Sequence, residues 1–168
     1  VKLIYTYNFG DVGWSSLAGS FYGCVNNVID ASCSGNFENV TALLNAFRAN
    51  SSLTFFPAIN LPNATSFRSA FRETSLLEFP DIDLSSGLDF QGAWFNIGTM
   101  SSFKARNFYA MNNGLSCFQG TTLPTSDYSD ILITQNANNP NNSVNFHGGN
   151  SNYDSSATSA RANLVSTK

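Results

Sequence analysis

The sequence predicts an α/β repeat fold: a short solenoid of about four coils, each a short strand plus a helical turn, closed by a C-terminal capping unit. Three observations lead there. The stretch "INLPNATSFRSAF" (Ile59–Phe71) returns 23 residues later as "IDLSSGLDFQGAW" (Ile82–Trp94). In that pair Ile59, Leu61, Phe67, Ala70 and Phe71 are matched by Ile82, Leu84, Phe90, Ala93 and Trp94. The 168 residues also carry fifteen Phe but only 11% charged side chains, so many aromatic rings must be buried beneath a surface made polar by Asn, Ser, Thr and Gly. Finally, a unit this short cannot bury its own apolar residues, so stacked neighbours must cover one another through equivalent positions.

Each unit extends the pattern. Asn39, Thr41, Leu43, Ala46 and Phe47 match Asn63, Thr65, Phe67, Ala70 and Phe71 at a step of 24. Leu53, Phe56 and Pro57 match Leu76, Phe79 and Pro80 at a step of 23, and Trp94, Met100 and Phe103 continue the series with one residue inserted. Upstream, "LAGSFYGC" (Leu17–Cys24) resembles "LLNAFRAN" (Leu43–Asn50) at a step of 26. Phe21, Phe47, Phe71 and Trp94 are therefore expected to stack in one buried row, and Leu17, Leu43, Phe67 and Phe90 in another. Within a unit, Phe67, Ala70 and Phe71 fall at i, i+3, i+4, the spacing of a helical face, with Asn63 or Thr65 placed to cap it. "SLLEFPDIDL" reads as short and extended, because Pro80 fits neither a helix interior nor a central strand.

The pattern stops near Ala110, giving two expected parts: residues 1–110, the solenoid with its N-terminal cap, and residues 111–168, a capping segment packed on it. In the second part "LPTSDYSDILITQ" predicts a helix with Tyr128, Ile131 and Leu132 inward behind a Thr125/Ser126 start. "NANNPNN" is a turn, "SVNFH" a strand, and "YDSSATSARANLVST" a final helix with Ala160, Leu164 and Val165 inward.

The units "SLTFFPAINLPNATSFRSAFRET" and "SLLEFPDIDLSSGLDFQGAWFNI" resemble BspA-like leucine-rich repeats. The typical unit of that family has a "SLTSFP" segment, a "DTSS" segment and an "AF" or "AW" followed two residues later by Cys. Cys24 keeps that Cys, while Asn50, Thr74 and Ile97 replace it. The tail "FHGGNSNYDSSATSARANLVSTK" is similar to the terminal segment that follows such repeats in bacterial surface and phage virion proteins, where it runs on to a Gly-Trp and one more strand that this chain lacks. The resemblance implies a leucine-rich-repeat solenoid, a place on a virion surface or outside a cell, and extracellular recognition. It implies no catalytic residues.

Composition excludes some functions. The net charge is −3 and no basic run occurs, so the electrostatic drive for nucleic-acid binding is missing. No apolar stretch approaches the roughly 20 residues of a membrane span. The start, Val1-Lys2-Leu3, has neither Met nor a signal pattern, as expected of a processed chain or a piece of a longer one. Cys24, Cys33 and Cys117 make no disulfide framework, and both a Cys24–Cys33 bridge and small buried thiols fit the spacing.

Catalytic and metal signals are weak. His147 in "FHGGN" has no visible nucleophile, orienting acid or ligand set beside it, and reads as a polar residue before a glycine turn. Asp81 and Asp83 in "FPDID", with Asp89 nearby, have the residue type for acid–base work or calcium, but Ala58 and Asn60 hold the matching places, so these acids belong to one unit only. Sequons at Asn39, Asn50, Asn63 and Asn141 recur with the pattern of an Asn-rich chain. No metal, cofactor or enzyme activity is expected.

What varies between units is the exposed strand side. Phe55, Glu78, Asp81, Lys104 and Arg106 differ from unit to unit and are the candidate ligand-binding residues. The expected function is therefore a non-enzymatic recognition or attachment module of a phage tail or fibre, or of a bacterial surface protein, binding a receptor glycan or protein. The alternative is a structural decoration subunit of a phage capsid or tail, with other virion proteins or its own copies as partners.

Overall fold

The computed structural model describes residues 5–167, with only the backbone of Thr167. Regular structure is sparse. Six strands of two residues each, β1 (Tyr5–Thr6), β2 (Val28–Ile29), β3 (Glu78–Phe79), β4 (Gly98–Thr99), β5 (Ser102–Phe103) and β6 (Thr121–Thr122), pair in parallel as β1–β2, β3–β5 and β4–β6. Two helices follow, α1 (Thr125–Asn138) and α2 (Thr158–Thr167), the second led in by a 3-10 turn at Ser155–Ala157.

The expected leucine-rich-repeat solenoid of about four strand-plus-helical-turn coils does not form. Helix, with the 3-10 turn, accounts for 16% of the chain and lies wholly after residue 124; strand accounts for 14% only when isolated bridge residues are counted with the three separate two-stranded sheets. The segment around Phe67–Phe71, expected to be helical, is a chain of tight turns. The Ala70 N–H donates to the Phe67 carbonyl (3.0 Å), while Phe67 and Phe71 donate outward to Asp89 (2.8 Å) and Ala93 (2.9 Å). Ser69 and Glu73 sit at φ 52° and 59°, in the left-handed region, and cannot continue a right-handed helix. Asn45 and Ala49 repeat this one segment earlier (52° and 56°). A turn with the i, i+3, i+4 residues inward buries the same side chains as a helix would, which is why their spacing alone did not separate the two.

What joins the similar segments is a parallel hydrogen-bond register. Single bridges link Ala42 to Ser66, Ser66 to Asp89, Asp89 to Asn113, and Gly114 to Phe146. The N–H groups of Leu17, Leu43, Phe67 and Phe90 donate to the carbonyls of Ala42, Ser66, Asp89 and Asn113 at 2.8–2.9 Å. This register places equivalent rings over one another. Phe21 stacks on Phe47 (5.1 Å between centroids), Phe47 on Phe71 (5.5 Å) and Phe71 on Trp94 (6.2 Å), all within 10° of parallel. Phe118, which lies beyond the expected end of the pattern, adds a further ring on Trp94 (5.2 Å, 11°). Phe56, Phe79 and Phe103 make a second column, whose rings meet the first edge-on. Apart from Phe21, which is only partly buried, these residues belong to one continuous core.

Several buried polar groups are matched to backbone, while Asn27 Nδ2 and Trp94 Nε1 find no hydrogen-bond partner among the described residues. Thr74 Oγ1 donates to the Phe71 carbonyl (2.8 Å), closing a turn, and Thr121 Oγ1 to the Trp94 carbonyl (2.5 Å) of the preceding segment. Asn50, with its amide turned to donate, reaches the carbonyls of Cys24 (2.8 Å) and Asn27 (3.2 Å). Cys24, Cys33 and Cys117 are free and buried, and burial pushes the Cys117 thiol well above the ordinary range.

Tyr128, Ile131 and Leu132 anchor α1 to the core. The helix begins after Pro124, with no side-chain cap from Thr125 or Ser126. Further along, the carboxamide of Gln135 donates to the Phe108 carbonyl and that of Asn139 to the Met111 carbonyl (3.0 Å), tying the helix to backbone left open by the turns. No helix among the described residues is long and apolar enough to cross a membrane.

Candidate functional site

The strand-side residues are set by the same register. Leu77 N–H donates to the Thr54 carbonyl (3.1 Å) and Ser101 N–H to that of Leu77 (2.7 Å), so Phe55 and Glu78 occupy neighbouring places along one exposed row. β3 and β5 set Glu78 beside Ser102. Phe55 is 37% exposed, unlike its neighbour Phe56, which is fully buried. Alternation along an extended segment turns one ring out and the next in. Glu78 accepts from Ser101 Oγ (3.4 Å).

Asp81 and Arg106 meet directly. Arg106 Nε donates to Asp81 Oδ1, across the bridge that pairs Asp83 with Arg106 in the backbone. Both side chains are more than half exposed, so water screens the pair. The hydrogen bond to Asp81, and then its charge, hold the proton on Arg106 more firmly than usual. Burial pushes the Asp83 carboxyl up, but hydrogen bonds from Ser85 and Asn107 and the charge of Arg106 outweigh it and leave Asp83 below the ordinary carboxylate range. Asp89 is engaged elsewhere, accepting from Arg68 Nε (2.9 Å) and Asn113 Nδ2 (3.0 Å).

Of the five candidate residues, the structure gathers three. Asp81, Lys104 and Arg106 line a cleft of about 520 Å³, whose other wall is α1, with Asp127, Asp130 and Thr134. Asp127 also anchors that wall: its Oδ2 accepts from the Phe103 N–H (2.7 Å), and its place in the first helical turn suits the positive end of the helix dipole. Lys104 makes no ion pair among the described residues. Phe55 and Glu78 stand outside the cleft, on the row that leads to it.

Asp127, Asp130 and Asn107 were not anticipated. The only trace of the first two in the sequence is their i, i+3 spacing beside the apolar face of α1. The cleft offers cationic donors and carboxylate acceptors close together, the equipment for binding hydroxyls, amides and charges. His147 lies elsewhere, with its Nδ1 accepting from the Gly149 N–H (3.1 Å). Among the described residues no three His, Cys, Asp or Glu side chains are grouped to hold a metal. No family model, no curated protein and no solved structure matches the chain.

Proposed function

We propose that the chain is a non-enzymatic recognition module that attaches a virion or a cell surface to a receptor glycan or protein. The observation that carries this reading is the cleft between the exposed row and α1, where Lys104, Arg106 and Asp81 face Asp127 and Asp130. A receptor would lie along the row, with the Phe55 ring as an apolar platform and the cleft supplying donors and acceptors at one end. Extracellular placement rests on the likeness of the units and the tail to BspA-like proteins.

One observation favours a structural role instead. Tyr7, Val12 and Tyr22, in the first part of the chain, are 72%, 71% and 53% exposed, apolar surface that packing in an assembly would cover. In that reading this end packs in an assembly as a decoration subunit does.

Binding of the purified chain to host cells and to a glycan panel separates the two. Lys104→Ala, Asp130→Ala and Phe55→Ala are each expected to weaken attachment about tenfold or more, as substitution of interface anchors does. If these three variants attach as the parent does, while Tyr7→Ser and Val12→Ser abolish incorporation into particles, the recognition reading falls and the structural one stands.

A further inference from the structure

A second cleft, of about 670 Å³, lies among α1, α2 and the 143–149 segment, and its chemistry differs from the first. Its floor is apolar, from Leu132, Phe146 and Leu164. No carboxylate lines it, although the chain as a whole is acidic.

Its polar lining includes the side chains of Gln135, Asn139, Ser143 and Asn145, and three further groups that offer hydrogen. The first is Tyr128. The residue is only 8% exposed, yet its hydroxyl has no hydrogen-bond partner among the described residues. The hydroxyl passes over Gly148: a Cβ built there would lie 2.1 Å from it, so only glycine leaves it room. The second is His147. Its Nδ1 accepts from the Gly149 N–H, which places the hydrogen of the neutral ring on Nε2 and makes that atom a donor. The third is Arg161, a guanidinium on α2 that makes no ion pair among the described residues. Its charge reaches the Tyr128 phenol, working against the burial that raises that group.

An apolar floor under three unspent donors, one of them a fixed cation, is complementary to an acceptor-rich anion carried on an apolar or saccharide body. We propose that this cleft binds an organic carboxylate, with Arg161 paired to the carboxylate, Tyr128 and His147 donating to its oxygens, and the body of the ligand against Phe146 and Leu164. The site is separate from the cleft of Asp81, Lys104 and Arg106 and stands without the recognition reading.

The test uses the intact chain and four probes: benzoate and glucuronate, with benzyl alcohol and glucose as their uncharged counterparts. Titration followed by backbone NMR is expected to give saturable shifts confined to 143–149 and α2 with the two acids and none with the neutral pair. Arg161→Ala and Arg161→Gln, which break no ion pair, and Tyr128→Phe are each expected to weaken acid binding about tenfold or more. Circular dichroism checks that these variants keep the fold. The proposal is overturned if neither acid binds at millimolar concentration, if the neutral probes bind equally, if the shifts fall around Lys104 and Arg106, or if both Arg161 variants bind as the parent does.

Discussion

Replacing Phe71 by alanine would empty the centre of the aromatic column. Phe71 is fully buried and touches four rings: Phe47 and Trp94 in stacked geometry, Phe56 and Phe79 edge-on at 4.9 and 5.2 Å. Truncating a buried phenylalanine costs about 3–5 kcal/mol through lost transfer energy and the cavity left behind. The surroundings decide where in that range the value falls. Its neighbours are held from both sides by backbone hydrogen bonds of the register, so the hole cannot collapse. Each aromatic pair also adds about 0.5–1.5 kcal/mol beyond its area. The expected loss is therefore about 4–5 kcal/mol, a large fraction of the 5–15 kcal/mol typical of a folded domain. In guanidinium chloride, with a slope of about 4 kcal/mol per molar, the midpoint should fall by about 1 M. Trp94 fluorescence reports the transition from inside the column. Phe21→Ala is the internal control. Phe21 is partly exposed and stacks in the column on one side only, so it should lose less than half as much. A loss under about 1 kcal/mol at Phe71, or an equal loss at Phe21, would refute the argument that stacking in register holds this core together.

Two further outcomes test the parts around that column. Gly149→Ala should destabilise by at least about 2 kcal/mol in the same denaturation assay, because a left-handed backbone strains any L side chain; here φ is 70° and an added Cβ would lie 2.2 Å from the Thr121 carbonyl oxygen. Asp154 caps the turn that leads into α2, and hydrogen bonds from the Ser156 hydroxyl and backbone N–H hold its carboxyl below the ordinary range. Its contribution is thus present above the usual aspartate pKa and is lost as pH falls through the lowered one. The helical signal of α2 should weaken there, and Asp154→Asn, which still accepts from the backbone, should remove that pH dependence.

The aromatic column could be read from the chain because a fixed step between Phe47, Phe71 and Trp94 survives whatever backbone carries it. The backbone itself does not follow from that step. Gly19, Gly23, Gly92 and Gly120 mark left-handed positions that Asn45, Ala49, Ser69, Glu73 and Asn96 also adopt, but non-glycine residues at those places hide the signal. Phe118 escaped notice because Cys117 precedes it where Ala precedes Phe47, Phe71 and Trp94. The helix over Thr125–Asn138 was legible from its apolar spacing, whereas its acids Asp127 and Asp130 were not legible as a wall opposite Lys104 and Arg106. Their meeting depends on how α1 lies against distant turns, and no local spacing encodes that.

The parallel register also has a direction. Leu17, Gly19, Phe21 and Gly23 spend their N–H groups on the segment that follows, and at the far end Gly114 and Phe118 donate to Asn145 and His147. The carbonyls of Ser16, Ala18, Ser20 and Tyr22 receive no hydrogen among the described residues. Among the described residues, this stretch of main chain thus presents a row of unpaired oxygens. Two copies brought together main chain to main chain through it would set acceptor against acceptor. The main chain of that stretch is chemically one-handed: a donor-bearing segment can extend it, whereas the same stretch of a second copy brings main-chain acceptors only.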